Sequence, residues 1–175
     1  MVSIMDIQIF DKESLKIKVK KATLAVDPKS SIQKFDADAI ILTDKNSDTS
    51  RINNFRVVID AVGEYEVSGL KISGMGSDGD TFFALSSDNV SVLIAKASSL
   101  EKAEKVGEYK ILIINADADL NQSRITAIEP SVVILYGEKA KEGAKVLGKE
   151  SAPTLAKITV SEDKLPEEMD VTILA

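Results

Sequence analysis

Apolar residues alternate with polar ones through the first half of this chain, then run unbroken in short segments through the second. Few folds accommodate both rhythms. Alternation suits a sheet with one wet face, whereas continuous apolar strands suit a sheet covered on both sides. Met5, Ile7 and Ile9 predict a strand over Ile4–Phe10, and Leu15, Ile17 and Val19 predict a second, with Asp11–Ser14 as the hairpin turn between them. Thr23–Val26 reads as a short apolar strand stopped by Asp27-Pro28, since proline cannot donate to a ladder. Ala39–Leu42 is a buried run of four that ends in a polar cluster, Thr43–Ser50. Val57–Met75, VVIDAVGEYEVSGLKISGM, reads as strand, turn at Gly63, strand, bulge at Gly69 and strand. A Gly/Asp-rich loop over Gly74–Asp80 then leads to strands at Thr81–Leu85 and Val90–Ala95.

In the second half, Ser98–Glu101 has capping-box spacing and predicts a helix over Leu100–Val106. Buried strands at Ile111–Ile114 and Val132–Leu135 bracket a helix that follows Asp117–Asn121 and ends before Pro130, with Ile125 and Ile128 inward. A third helix spans Glu138–Leu147, with Ala140, Ala144 and Leu147 inward. Leu155–Val160 and Val171–Leu174 read as a hairpin joined by SEDKLPEEMD. These elements give an α+β fold, an α/β sandwich, and 175 residues suffice for one domain over 1–175 with its own core.

Composition narrows function mostly by exclusion. Net charge is −6, which disfavours binding to a phosphate backbone, so no nucleic-acid partner is expected. The basic run Lys16–Lys21 reads as the solvated face of an edge strand, where lysines discourage edge-to-edge pairing. The chain has no Cys, which rules out thiol chemistry and fits a reducing compartment. It also has no His, which removes the commonest transition-metal ligand and neutral-pH base. No apolar run is long enough to span a bilayer and the start lacks a signal-peptide pattern, so a cytoplasmic protein with no membrane partner is expected.

The GEYEV-SG-LKISGM portion of the Val57–Met75 stretch resembles a segment of the metallo-β-lactamase superfamily, in its branch of lactonase-like metal-dependent hydrolases. Val26-Asp27-Pro28, Ala37-Asp38 and the tail Leu165-Pro166-Glu167-Glu168 are similar to that branch in the same order. The resemblance implies a four-layer αββα sandwich. It also implies an HxHxDH metal motif after Ala39–Leu42, which falls on Asp44-Lys45-Asn46-Ser47-Asp48-Thr49 and is matched only at Asp48. The family's later ligands fall near Ser77–Gly79 around Asp78, near Lys96-Ala97, and near Tyr136-Gly137. Asp44, Asn46, Asp48, Thr49, Asp78, Ala97 and Gly137 therefore mark a degenerate site.

Two readings remain. In the first, the chain is a pseudoenzyme without metal or cofactor, a binding or assembly module. Its surfaces would be the edge strand Leu15–Val19 and the residues Met75, Phe82 and Phe83, and a homo-oligomer is expected. In the second, Asp44, Asp48, Asp78 and Asp80 converge on Mg²⁺ or Mn²⁺ in a phosphodiesterase or lactonase. Lys45 within the cluster argues against that metal, and turn residues are common after strands in any case. Asp117–Ser123 has part of a Ca²⁺-loop pattern but Gln122 and Ile128 where Gly and an acid belong, so strand end and helix cap explain it. The SxxK spacings at Ser31 and Ser99 lack companion motifs, and the glycines at 74–79 open no helix.

Overall fold

The computed structural model describes residues 4–77, 79–88 and 90–175. Strands β1 (Ile4–Phe10), β2 (Ser14–Val19), β3 (Ala22–Val26), β4 (Phe35–Asp36), β5 (Ala39–Ile41), β6 (Ile52–Asn53) and β7 (Val57–Ile59) come first. They are followed by β8 (Gly63–Val67), β9 (Leu70–Ser77), β10 (Asp80–Ser87) and β11 (Val90–Lys96). Helices then alternate with strands: α1 (Ala97–Lys102), β12 (Ile111–Asn115), α2 (Gln122–Ile128), β13 (Val132–Tyr136) and α3 (Ala140–Val146). Strands β14 (Thr154–Leu155), β15 (Lys157–Ser161) and β16 (Asp170–Leu174) close the chain.

Two sheets pack face to face. One has six strands in the order β15-β1-β2-β3-β5-β7, the other eight in the order β14-β16-β13-β12-β11-β10-β9-β8. The alternating strands turn Met5, Ile7, Leu15, Ile17, Leu24 and Val26 inward onto Ile72, Phe83, Ile94, Ile113 and Ile134 of the larger sheet. That is the inter-sheet core. The continuous apolar strands have a second face, where Leu93, Leu112, Ile114, Val133 and Leu135 pack under Leu100, Ile125, Ile128, Ala140 and Ala144 of the helices. The architecture is thus an α/β sandwich. Over the six-stranded sheet the outer layer is irregular: Ile52 and Phe35 of the small β4–β6 pair, with Ile32 and Ala37 beside them, pack on Ala25 and Ile40. One 3-10 turn, Thr49–Arg51, leads into β6.

Several local readings need correction. The tail is no hairpin: β15 runs antiparallel to β1 in the smaller sheet, while β16 runs parallel to β13 in the larger. β2 is no edge either, because β1 and β3 flank it on both sides. Its lysines do face outward, and Lys16 lies over the Phe35 ring at 5.3 Å. Gly69 belongs to a two-residue turn instead of a bulge: Ser68 and Gly69 both have positive φ (50° and 82°), and Val67 pairs with Leu70. The Gly/Asp-rich stretch is strand to Ser77, with Ser77 opposite Asp80 across a tight hairpin. α1 starts before the capping-box serine and ends at Lys102, and the Ser98 N–H is met by Asp117 at 3.0 Å. No helix among the described residues is long and apolar enough to cross a membrane.

Phe82 and Phe83 do point to opposite faces, but neither is a contact surface. They are 2% and 0% exposed, because both faces of the larger sheet are covered. Met75 is half-buried against the helix-side core. Phe82→Ala and Phe83→Ala are each expected to cost about 3–5 kcal/mol in urea unfolding, as deletion of a fully packed ring does. A loss under about 1 kcal/mol for either would put that ring on the surface instead.

Candidate functional site

Strand ends from both sheets meet at one end of the sandwich. In the larger sheet the parallel register places Lys96, Asn115 and Tyr136 side by side as the last residues of β11, β12 and β13. All three continue the inward row of Ile94, Ile113 and Ile134, so they stand on the face that meets the other sheet. In the smaller sheet β3 and β5 end together and release Asp27 and the loop that begins at Thr43.

Asp27 organises this end. Only 1% exposed and with φ at 47°, it turns its carboxylate under the loop. It accepts the backbone N–H of Thr43 at 2.7 Å and of Asp44 at 3.0 Å, and hydroxyl bonds from Thr43 and, at 3.4 Å, from Ser47. Its own carbonyl accepts the Ser14 hydroxyl at 2.9 Å. Burial raises the Asp27 pKa, and the bonds from Thr43 oppose that rise. The Tyr136 phenol is fully buried, and burial, then the charges of Asp27, Glu13 and Asp117, push its pKa well above the ordinary range. Its hydroxyl has no hydrogen-bond partner among the described residues.

The positions of the sequence-derived site residues can now be given. Asp44 accepts the Asn46 N–H at 3.0 Å and the Lys29 ammonium at 3.4 Å. The Asn46 N–H, followed by Lys29 and Lys96, holds its carboxyl below the ordinary value of 3.8. Asp48 caps the 3-10 turn by accepting the Ser50 N–H at 2.8 Å, and its own N–H is held by the Pro28 carbonyl at 2.8 Å. The bonds from Ser50 lower its pKa, with Arg51 assisting. Thr49 opens that turn and Asn46 is exposed. Asp80 pairs with Lys102 of α1 at 3.2 Å on the helix side of the sheet, and Asp78 lies outside the described residues. Ala97 is buried among the helix-side residues, so the side chain that reaches the strand-end row is that of Lys96. Gly137 has φ at 91°, and a Cβ there would collide with the Asn115 carboxamide oxygen.

Sequence reasoning missed three participants: Asp27 as the hub, Lys29, and Lys96 as a cation facing the loop. An acidic residue ending a buried strand and followed directly by Pro28 was the available signal for Asp27.

The fold decides the comparisons. Superposition over 97% of this chain and 98% of the other gives a TM-score of 0.73 at 18% identity with a candidate Zn-dependent hydrolase of the metallo-β-lactamase superfamily from Thermotoga maritima. The chain has the metallo-β-lactamase fold. A metallo hydrolase from Ignicoccus hospitalis matches at TM-score 0.59 and 11% identity, over 90% of this chain and 98% of that one. A candidate metal-dependent hydrolase from Parabacteroides distasonis matches at 0.57 and 16%, over 98% and 93%. No protein-family model and no curated protein sequence matches the chain.

The residues at this end do not fit the transition-metal centre that the fold commonly carries. There is no imidazole or thiolate in the chain. Two ammonium groups lower the Asp44 pKa, position 137 has a positive φ and a Cβ there would displace the Asn115 carboxamide, and Asp80 is tied to Lys102 on the helix side. Among the described residues no group of three or more acidic side chains is gathered to hold a metal ion.

Two outcomes are expected. Asp27→Ala leaves the Thr43 and Asp44 N–H groups without their acceptor and should cost about 3 kcal/mol in urea unfolding, while Asp27→Asn, which keeps an acceptor, should cost about 1 kcal/mol. Equal, small losses would remove Asp27 from its organising role. For pH, Asp44 is depressed when folded, so its contribution is fully present above 3.8 and is lost as pH falls through the folded value. Asp27, raised, acts in the opposite sense and above 3.8, which leaves the window below 3.8 to the depressed carboxyls. Urea midpoints of the wild type should therefore fall more steeply below pH 3.8 than those of Asp44→Asn, and parallel slopes would contradict this.

Proposed function

We propose that this chain is a degenerate member of the lactonase-like hydrolase branch of the metallo-β-lactamase superfamily, a pseudoenzyme that acts as a binding or assembly module in the cytoplasm. The observation that carries this reading is cationic. Lys96 ends β11 in the inward row, and Lys29 pairs with Asp44, so positive side chains stand at or beside two positions to which the sequence resemblance assigns metal ligands. An ammonium cannot activate a water as a metal does, and it neutralises the carboxylate a metal would need.

A second reading is favoured by the neighbours, which are named as metal-dependent hydrolases. In it the chain hydrolyses a lactone or phosphodiester with Mg²⁺ or Mn²⁺ held by Asp44, Asp48, Asp78 and Asp80. That arrangement would require the Asp44–Lys29 and Asp80–Lys102 pairs to open.

Protein purified without added metal is expected to carry no stoichiometric zinc on elemental analysis. Its melting temperature should not rise with Zn²⁺, Mg²⁺ or Mn²⁺, since a ligand that binds only the folded state raises stability. Lactone and phosphodiester hydrolysis should stay at background. Mg²⁺- or Mn²⁺-dependent turnover that Asp48→Ala abolishes would overturn the pseudoenzyme reading in favour of the second.

A further inference from the structure

Strand β7 ends the six-stranded sheet on the side away from β15 and, among the described residues, pairs only with β5. In their parallel register Val57 pairs with Ala39 and Ile59 with Ile41, and the Leu42 N–H reaches the Ile59 carbonyl at 3.0 Å. Backbone bonds alternate along a parallel strand, so with Ile59 bonding inward to β5 the N–H and carbonyl of Val58 turn outward, while just before the strand the Arg56 N–H is taken inward by the Asp38 carbonyl at 2.9 Å. The side chains split likewise. Ile59 and Val57 join the inter-sheet core, Val58 between them is exposed on the opposite face, and Arg56 and Asp60, just beyond the two ends of the strand, are exposed. Phe55 and Val62 flank the strand, 36% and 58% exposed, and Val58 is 37% exposed. Natural sheets usually protect an open edge with charges or a covering loop, and this one presents apolar residues between one cation and one anion.

The stretch Arg56-Val57-Val58-Ile59-Asp60 is self-complementary. An antiparallel copy related by a two-fold axis at Val58 sets Val58 against Val58, Val57 against Ile59, and Arg56 against Asp60 in both directions. The outward backbone groups of Val58 would then exchange two hydrogen bonds across the axis, as a hydrogen-bonded antiparallel pair does. Both charge pairs would fall on one face, where opposite charges directly across strands attract. Neither the Arg56 nor the Asp60 side chain has an ion-pair or hydrogen-bond partner within the described residues, so none has to be broken. A two-fold contact of one patch with itself is the usual way a homodimer closes.

We propose that two copies of this chain associate edge to edge through β7, joining their six-stranded sheets across a two-fold axis at Val58. The proposal deepens the assembly reading above, on which it rests, by naming the partner as a second copy. The surfaces that the sequence alone suggested, β2 and the Phe82-Phe83 pair, are both internal to the fold and play no part in it.

Sedimentation velocity across a concentration series tests it on the full chain. Wild type should show a concentration-dependent dimer. Arg56→Asp alone sets two acids across the axis, Asp60→Arg alone sets two bases, and each should lower the association constant by about tenfold or more. An equimolar mixture of the two variants should recover it, because every cross-axis pair in the mixed dimer is again opposite in charge. Both residues are exposed, so unchanged melting curves would show that the variants fold. A wild type that stays monomeric at high concentration, or a dimer indifferent to both reversals, would overturn the interface and leave the loss of catalysis standing. Metal-dependent turnover by a dimer that follows the charge rule would do the reverse.

Discussion

The buried carboxylate of Asp27 is the contact on which the strand-end region of this molecule depends. A charge taken out of water is costly unless several donors surround it, and here the loop from Thr43 to Ser47 supplies them. The loop thus folds around its anchor. Its conformation fixes where Asp44 points, and so which ammonium groups the Asp44 carboxylate meets. Asp27 gives the loop its shape, and Lys29 pairs with the Asp44 carboxylate that the loop presents. This accounts for how the scaffold keeps its loop without any imidazole in the chain.

Much of the fold was legible because its cause is local. The alternation through β1 and β2 and the continuous runs of β11, β12 and β13 report which faces are buried, and burial set by one versus two covered faces is written in the residue pattern. What the sequence concealed was non-local. Lys16 and Lys18 read as an edge because lysines often mark one, yet β1 and β3 flank β2 on both sides, and β15 arrives from the far end of the chain to cover β1 as well. Likewise Ile158 and Val171 look like strands of one hairpin, since their spacing says nothing about which sheet each will join. At the site, the polar residues after β5 could be recognised as a strand-end cluster. Their pairing could not, because Lys29 reaches Asp44 from the turn after another strand and no spacing along the chain encodes that meeting.

The two destinations of the tail have a bearing on how the molecule comes into being. Thr159 hydrogen-bonds to Asp6 across 153 positions, so the first strand must wait for almost the whole chain before its outer side is satisfied. Within a few residues the same tail crosses to the other sheet and sets β16 beside β13. Neither sheet is therefore complete while the tail is still on the ribosome. Contacts between such distant segments are costly in chain entropy and slow to form. During that interval β1 carries an open edge of its own, Ile4 to Gln8, into a crowded solution. Synthesis that stalls short of the tail would leave a nascent chain prone to pairing with its neighbours on the polysome.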